Sequence, residues 1–184
     1  MRPVRDGRLA VASGRRLDGQ GAQWWRSDRP QSRRSRQTRV KKSLLVDGLG
    51  GPLAIVVAPA NVNDHFLLKE TIEAIVVKRP RPTEKEPQHL CLDAGYDNQM
   101  SRETVKEHHY QGHIRPARGK GSARKSKKKY PPRRWVVERT FSWLSKCRGL
   151  LVRYEKKSIN YLGLLQFACA LFWYRRLRAA TADS

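Results

Sequence analysis

The sequence has 184 residues, which is enough for one domain with a buried core and too few for two domains of ordinary size. Its 39 Lys and Arg residues against 16 Asp and Glu residues give a formal net charge of +23. That excess exceeds what solubility requires, so nucleic acid is the expected partner and an anionic membrane surface is the second candidate. The three cysteines show no CxxC spacing, which argues against a disulfide framework and a zinc site.

The most apolar window is too short and too interrupted to span a bilayer. It runs from Ile159 to Tyr174 and contains Asn160, Gly163 and Gln166, so it predicts a buried helix. The arginine-rich N-terminus has no apolar run of the kind that a secretory signal needs. We therefore expect a soluble cytoplasmic protein, associated with the nucleoid, that makes no membrane contact.

Residues 1–39 differ from the rest of the chain. They hold eleven Arg and no Lys, whereas the chain from residue 40 onward has fourteen of each. An Arg-rich stretch with little hydrophobic pattern is typical of a disordered basic arm. A gene of high GC content translated out of frame gives the same composition, and both interpretations stay open. In either case we expect ordered structure to begin at Lys41.

The next segment predicts a hairpin and a helix. Two apolar runs, 43–47 and 53–58, are joined by a glycine-rich connection, and their continuous apolar character indicates a sheet covered on both faces. Asp47 precedes Gly48 and is expected to serve the turn. Asp64 is expected to be the N-cap of a helix with apolar residues from Leu67 to Val76.

Further elements follow in alternation and predict one mixed α/β domain over residues 40–178, with a tail at 179–184. A strand at 88–93 ends on Asp93, and a short helix begins at Ser101 as its N-cap. A strand at 112–115, a basic loop at 118–129, a helix around Glu138 and a last helix capped by Ser158 complete the series.

Two acids have the chemistry of metal ligands. Asp93 closes an apolar strand directly before Ala94-Gly95, and α/β sheets place reactive groups at the carboxyl ends of strands. Glu138 is a lone acid in a basic, apolar-faced helix, where it is either a surface partner of Arg134 or a metal-binding carboxylate. Two such acids beside a phosphate-binding surface suit Mg²⁺, although such a site normally has a third. Trp135 and Trp143 are predicted to be core residues rather than base-stacking groups.

Four segments, in order, resemble signatures of the DDE-type insertion-sequence transposases. They are Lys42–Leu53, Ala60–Asp64, Leu90–Asp97 and Arg134–Leu144, and the resemblance covers about residues 40–175. It implies an RNase H-like core that cuts and joins DNA with Mg²⁺ (or Mn²⁺) held by two Asp and one Glu. By motif, Asp93 is the second Asp and Glu138 is the Glu. Tyr130 and Lys146 each fall one residue out of the family spacing.

The first Asp of the family pattern would fall within residues 1–39, where Asp18 is only a weak match. We therefore expect a truncated or frameshifted transposase with an incomplete core. It is either an active domain that catalyses DNA strand cleavage and transfer or a catalytically inactive DNA-binding remnant. Transposon-end and target DNA is the expected partner; a homodimer and the product of an upstream reading frame are further candidates. The expected phosphate-binding residues are Arg118, Lys120, Arg124, Lys125, Lys127, Lys128, Lys129, Arg134 and Arg139.

Overall fold

The computed structural model describes residues 8–14, 40–114, 134–151 and 153–182. The strands are β1 (Arg8–Gly14), β2 (Val40–Asp47), β3 (Pro52–Pro59), β4 (Gln88–Leu92) and β5 (Tyr110–Ile114). The helices are α1 (Asp64–Glu73), α2 (Gln99–Glu107), α3 (Arg134–Ser145), the short α4 (Arg148–Leu151) and α5 (Ser158–Ala182). A 3₁₀ turn, Ala94–Tyr96, follows β4.

The five strands form one mixed sheet in the order β3-β2-β1-β4-β5. Strand β2 is antiparallel to both of its neighbours, whereas β1, β4 and β5 run parallel. Helices α1 and α2 pack on one face, and α3 and α5 pack on the other. The predicted α/β class, a mixed sheet flanked by helices, is confirmed.

Strand β1 places residues 8–14, which were assigned to a disordered arm over 1–39, in the sheet, and so corrects the expectation that ordered structure begins at Lys41. It lies at the centre of the sheet, with Leu9 opposite Asp47 on β2 and Val11 opposite Leu92 on β4. The side chains of Leu9, Ala10 and Val11 are buried. The short run was overlooked because its partners on β2 lie 28 to 38 residues away and the run stands in an Arg-rich context. Residues 1–7 and 15–39, including Asp18, lie outside the described residues.

The central strands divide their side chains between two cores, as the period of a strand requires. On the α1 side, Val11 and Leu45 pack with Leu68 of α1 and Tyr96 of the 3₁₀ turn. On the opposite side, Ala10, Leu44 and Val46 pack with α3 and α5. The continuous apolar runs of β2 and β3 therefore reflect burial on both faces, as predicted.

Two helix starts differ from the predicted ones. The N-cap of α1 is Asn63, and Asp64 is the first helical residue. The N-cap of α2 is Asn98, whose side-chain oxygen accepts a hydrogen bond of 2.8 Å from the Ser101 backbone N–H. In both cases an Asn preceded the polar residue that we had chosen, and Asn caps as well as Ser or Asp.

Helix α5 is longer and less buried than predicted. It continues through Ala182, past residue 178 where we placed the end of the domain. Tyr161, Leu165 and Ala168 are buried, whereas Phe167 and Tyr174 are exposed. No helix among the described parts of the chain is long and apolar enough to cross a membrane.

Candidate functional site

Asp93 lies where the sequence predicts it, directly after the last residue of β4. Its Oδ1 accepts a hydrogen bond of 2.8 Å from the Ala94 backbone N–H and so caps the 3₁₀ turn. The residue is half-buried. One carboxylate oxygen therefore orients the side chain at the carboxyl end of an interior strand.

The buried Tyr96 hydroxyl lies near both Asp93 and a second acid, Asp64. Burial raises the pKa of the Tyr96 hydroxyl above its ordinary value; the Ser43 hydroxyl opposes this rise, and the charges of Asp64 and Asp93 add to it. The Tyr96 hydroxyl thus stays protonated and neutral at physiological pH. It lies close enough to both carboxylates to experience their charge.

Asp64 is held by a buried lysine rather than acting as an N-cap. Its Oδ1 lies 2.7 Å from the Nζ of Lys41, which is only 5% exposed. Lys41 also donates a hydrogen bond to the Val62 carbonyl, so its buried ammonium group has two partners, a carboxylate and a carbonyl. Lys41 was not among the predicted site residues, although it alternates with the buried Ser43 and Leu45 on β2, which indicates that it faces the same core.

Asp47 is a structural acid, and the expectation of turn chemistry is confirmed. Its Oδ1 accepts hydrogen bonds from the backbone N–H groups of Leu49 at 2.9 Å and Gly51 at 2.6 Å. The carboxylate is buried at the β2–β3 turn. Because Asp47 sits at the end of the sheet away from Asp93, it is not part of the same site.

Glu138 lies on α3, which was predicted to be a helix, and its side chain is exposed. The helix is held against the sheet by the buried residues Val136 and Val137. Thr140 Oγ1 donates a hydrogen bond of 2.7 Å to the Gly50 carbonyl. This helix packs over β1 and β2. Arg139 and Thr140, the two residues after Glu138 on α3, hydrogen-bond to the β2–β3 turn, which lies at the end of the sheet away from Asp93. These contacts therefore do not bring Glu138 to Asp93.

The residue that follows the β1–β4 ladder on β1 is an alanine. Leu9 pairs with Leu90 and Val11 with Leu92, where the ladder ends. Ala12 is the next residue on β1 and Asp93 is the next residue after β4, and adjacent strands are about 4.8 Å apart. An alanine methyl group cannot bind a cation.

The donor set implied by the resemblance, two Asp and one Glu, is not assembled by the elements described. Within residues 8–14, 40–114, 134–151 and 153–182, no three His, Cys, Asp or Glu side chains form a group that could hold a metal ion. Asp93 and Glu138 are carboxylates of the kind that Mg²⁺ takes, but they do not complete the three-acid set.

Arg139 is the candidate phosphate ligand that the structure describes in full. Its Nη2 donates a hydrogen bond of 2.6 Å to the Leu49 carbonyl, and its guanidinium lies 5.0 Å from the centre of the Trp135 ring. Trp135 is exposed, which corrects its assignment to the core; Trp143 is half-buried and packs edge-on against Phe172, as expected for a core residue. Arg134 begins α3, and the other candidates, all within residues 118–129, lie outside the described residues.

A cleft of about 630 Å³ lies away from these acids. Its lining includes Lys78, Arg79 and Tyr110, with a hydrogen bond of 3.0 Å from Arg79 Nη2 to the Tyr110 hydroxyl. Tyr110 begins β5 and pairs with the first residue of β4, so the cleft is at the opposite end of β4 from Asp93. The candidate ligands therefore lie outside this cleft.

A family model and a curated relative both match most of this chain. A family model described as a transposase DDE domain matches residues 10–173, starting within β1 rather than near residue 40. The putative transposase for insertion sequence element IS402 of Burkholderia cepacia is 33% identical over 146 residues, which cover 76% of this chain. The chain spans only 65% of that relative's length. The catalytic core domain of BIV integrase aligns with a TM-score of 0.49 and 10% identity over 87% of this chain and 80% of that one.

Proposed function

Because this chain belongs to the transposase DDE-domain family, we propose that it is part of an insertion-sequence transposase that binds DNA during transposition. We propose further that its metal site is incomplete on the described elements, so that the chain still binds DNA but no longer cleaves it. The observation that supports this is that no three acids, His or Cys come together among the described residues, and that the residue after the Val11–Leu92 pair on the central strand is Ala12. The remaining ligands in this proposal are Asp93 and Glu138.

The charge of the chain supports DNA binding. A net charge of +23 on 184 residues attracts phosphates wherever cationic side chains are free to reach them. Contacts of this kind release counterions, so affinity falls steeply with salt and depends little on base sequence. The seven candidates from Arg118 to Lys129 form the densest basic stretch and are the proposed main contacts.

Binding is tested by fluorescence anisotropy with duplexes carrying the element's ends and with unrelated duplexes, over a range of salt concentrations. Replacing Lys127, Lys128 and Lys129 with Gln is expected to reduce the salt slope by about 0.9 for each phosphate that the variant no longer neutralises. The matched control neutralises Lys156 and Lys157, which are exposed just before α5, and should change the slope little. Equal effects of the two variants would contradict a specific role for the basic loop.

Cleavage is tested separately, by nicking assays in Mg²⁺ and in Mn²⁺. The expected result is no metal-dependent product from the natural chain, although it binds the same DNA. Nicking that is abolished by Asp93→Asn and by Glu138→Gln would refute the incomplete site and establish an active transposase domain. If the natural chain does not bind DNA, the DNA-binding part of the proposal is refuted.

The register of β1 gives a gain-of-function test. Ala12→Asp places a carboxyl group on the central strand one residue beyond Val11, which pairs with Leu92, the residue before Asp93. Mn²⁺ binding, followed by electron paramagnetic resonance, is expected to become at least about tenfold tighter because a third carboxylate adds charge and a ligand. Ser13→Asp adds the same charge one residue further along and serves as the control. If the two variants bind Mn²⁺ equally, Ala12 is not the position of the missing ligand.

A further inference from the structure

Helix α5 has an exposed side that lacks the charges of a normal solvent-facing surface. Residues 158–174 contain no Asp, Glu, Lys or Arg, in a chain where charged residues make up 30%. Only Tyr161, Leu165 and Ala168 of this stretch are buried, and together they define a single packed side. A helix that is apolar all round normally has both sides covered. Within the described chain, one side of α5 is not.

The exposed side has a regular alternation of small and large residues. Gly163, Phe167, Ala170 and Tyr174 follow one another at spacings of four, three and four, so they lie in one row on the helix. Phe167 is 63% exposed and Tyr174 is 58% exposed, and a Cβ added at Gly163 would meet nothing within 4 Å. We call these four residues, flanked by Leu164 and Leu171, the outer row.

We infer that the outer row is a dimer interface that binds the outer row of a second copy of this chain, with the two α5 helices antiparallel. A twofold axis between Phe167 and Ala170 places Phe167 of each copy against Ala170 of the other. The same axis places Tyr174 against Gly163. Each large side chain therefore meets a small one, which is the self-complementarity that a symmetric interface requires.

A cleft beside the outer row strengthens this match. An apolar cleft of about 230 Å³ between β3 and α5 is lined by Leu53, Ile55, Gln166, Ala170 and Trp173, among others. Ala170 belongs to both the row and the cleft wall. The cleft is large enough for one aromatic ring, so Phe167 of the second copy can insert its ring into the cleft instead of lying on a flat surface. Central aromatic anchors that fill pockets dominate the energy of interfaces.

The exposed area is sufficient for a stable pair. Leu164, Phe167, Leu171 and Tyr174, together with Ile159 and Leu177 at the two ends, are all at least 37% exposed. They leave on the order of 700 Å² of side-chain surface open, close to the roughly 800 Å² that each partner buries in a standard interface. That exceeds the largest apolar patch of a typical monomer, about 300–600 Å².

Charge selects the antiparallel arrangement. In a parallel pair, Arg175 and Arg178 of one copy would face the same residues of the other, whereas the antiparallel pair separates them. Two chains of net charge +23 still repel each other over long distances. Because salt screens that repulsion, the dimer should tighten as salt rises, which is the opposite of DNA binding.

The test is sedimentation equilibrium of the full chain, repeated at rising salt. We expect a monomer–dimer equilibrium with a dissociation constant in the micromolar range, about −8 kcal/mol, that tightens with salt. Phe167→Lys should weaken association by roughly 30-fold or more because it removes a central anchor. Tyr154→Lys makes the same charge change at a side chain that is 77% exposed and outside α5, and should leave association unchanged.

Ala170→Trp distinguishes specific packing of Phe167 against Ala170 from nonspecific hydrophobic association. The variant adds apolar surface but fills the site that receives Phe167, so it should weaken the dimer. Stronger association of Ala170→Trp, or equal weakening by Phe167→Lys and Tyr154→Lys, would overturn the inference. A chain that stays monomeric up to about 100 µM at high salt would also overturn it, and the outer row would then belong to another occupant such as a segment of a longer protein. None of these outcomes depends on DNA binding.

Discussion

Removing the Asp47 side chain tests whether this acid is structural. Its Oδ1 accepts two backbone N–H groups, at 2.9 Å from Leu49 and 2.6 Å from Gly51, and its Oδ2 lies 3.8 Å from Arg176. A hydrogen bond to a charged group contributes about 1.5–3 kcal/mol, and a buried N–H left without an acceptor costs about 1–3 kcal/mol. The two contributions overlap, so Asp47→Ala should lower the free energy of unfolding by about 3–4 kcal/mol.

Asp47→Asn separates hydrogen bonding from charge. An amide oxygen in place of Oδ1 keeps both acceptor contacts but loses their charge and the long contact with Arg176. That contact is partly exposed and contributes about 1 kcal/mol at most, so the Asn variant should lose only about 1–1.5 kcal/mol. Because domain stabilities are about 5–15 kcal/mol, both variants should still fold at low temperature.

Urea denaturation followed by tryptophan fluorescence measures both differences. The control is Glu103→Ala, which removes an exposed acid that interacts with Gln99 and should change stability by at most about 0.5 kcal/mol. If Asp47→Ala and Asp47→Asn destabilise equally, or if both lie within about 0.5 kcal/mol of the natural chain, the two backbone hydrogen bonds do not hold the turn and the reasoning is refuted.

Three further predictions concern the residues around the sheet. Gly51→Ala should cost about 2–3 kcal/mol in urea denaturation, because its Cβ would lie 2.5 Å from Trp173 Cζ2. Asp64→Ala should cost about 2–3 kcal/mol by leaving the buried Lys41 charge unpaired; Lys41→Met should cost about 1 kcal/mol, because Asp64 is 28% exposed and remains partly hydrated. Burial raises the pKa of the Cys169 thiol from 9.0 to about 12, so the folded state keeps its proton while the unfolded chain loses it. Stability should therefore fall as pH rises from 9.0 toward about 12, and less steeply in Cys169→Ala, as measured by urea denaturation across this range.

For each of these three predictions, one experimental outcome would contradict the reasoning. Gly149→Ala is the control for Gly51, since an added Cβ there meets nothing within 4 Å. Equal stability of the two glycine variants would exclude the steric argument. A larger loss from Lys41→Met than from Asp64→Ala would show that Lys41 stabilises through its Val62 contact rather than through the ion pair. Parallel pH profiles for the natural chain and Cys169→Ala would show that the thiol makes no pH-dependent contribution.

Local patterns were sufficient for a large part of the fold. The β2–β3 hairpin and the turn role of Asp47 follow from two apolar runs around glycines, because a hairpin pairs neighbours in sequence. The position of Asp93 follows equally from a strand that ends at a glycine-containing turn. The helix that carries Glu138 follows from the spacing of Val137, Phe141 and Leu144.

Features that depend on distant pairing needed the tertiary structure. The Lys41–Asp64 ion pair joins a strand to the helix after the hairpin, and the sequence around either residue does not indicate its partner. Trp135 looked like a core residue because of its size, but its position on α3 faces it outward, where it lies against Arg139.

The sequence by itself determined the family resemblance and the mixed α/β class, and it predicted Asp93 and Glu138 as site residues, since each depends on a short contiguous pattern. Only the tertiary structure decided that Arg8–Gly14 is the central strand and that it pairs in parallel with β4, with Val11 opposite Leu92. Strand pairing across such a separation is selected by the whole sheet and not by local preference. The same holds for α5. Its composition predicts burial on every side, but the described part of the chain packs against only one side of this helix.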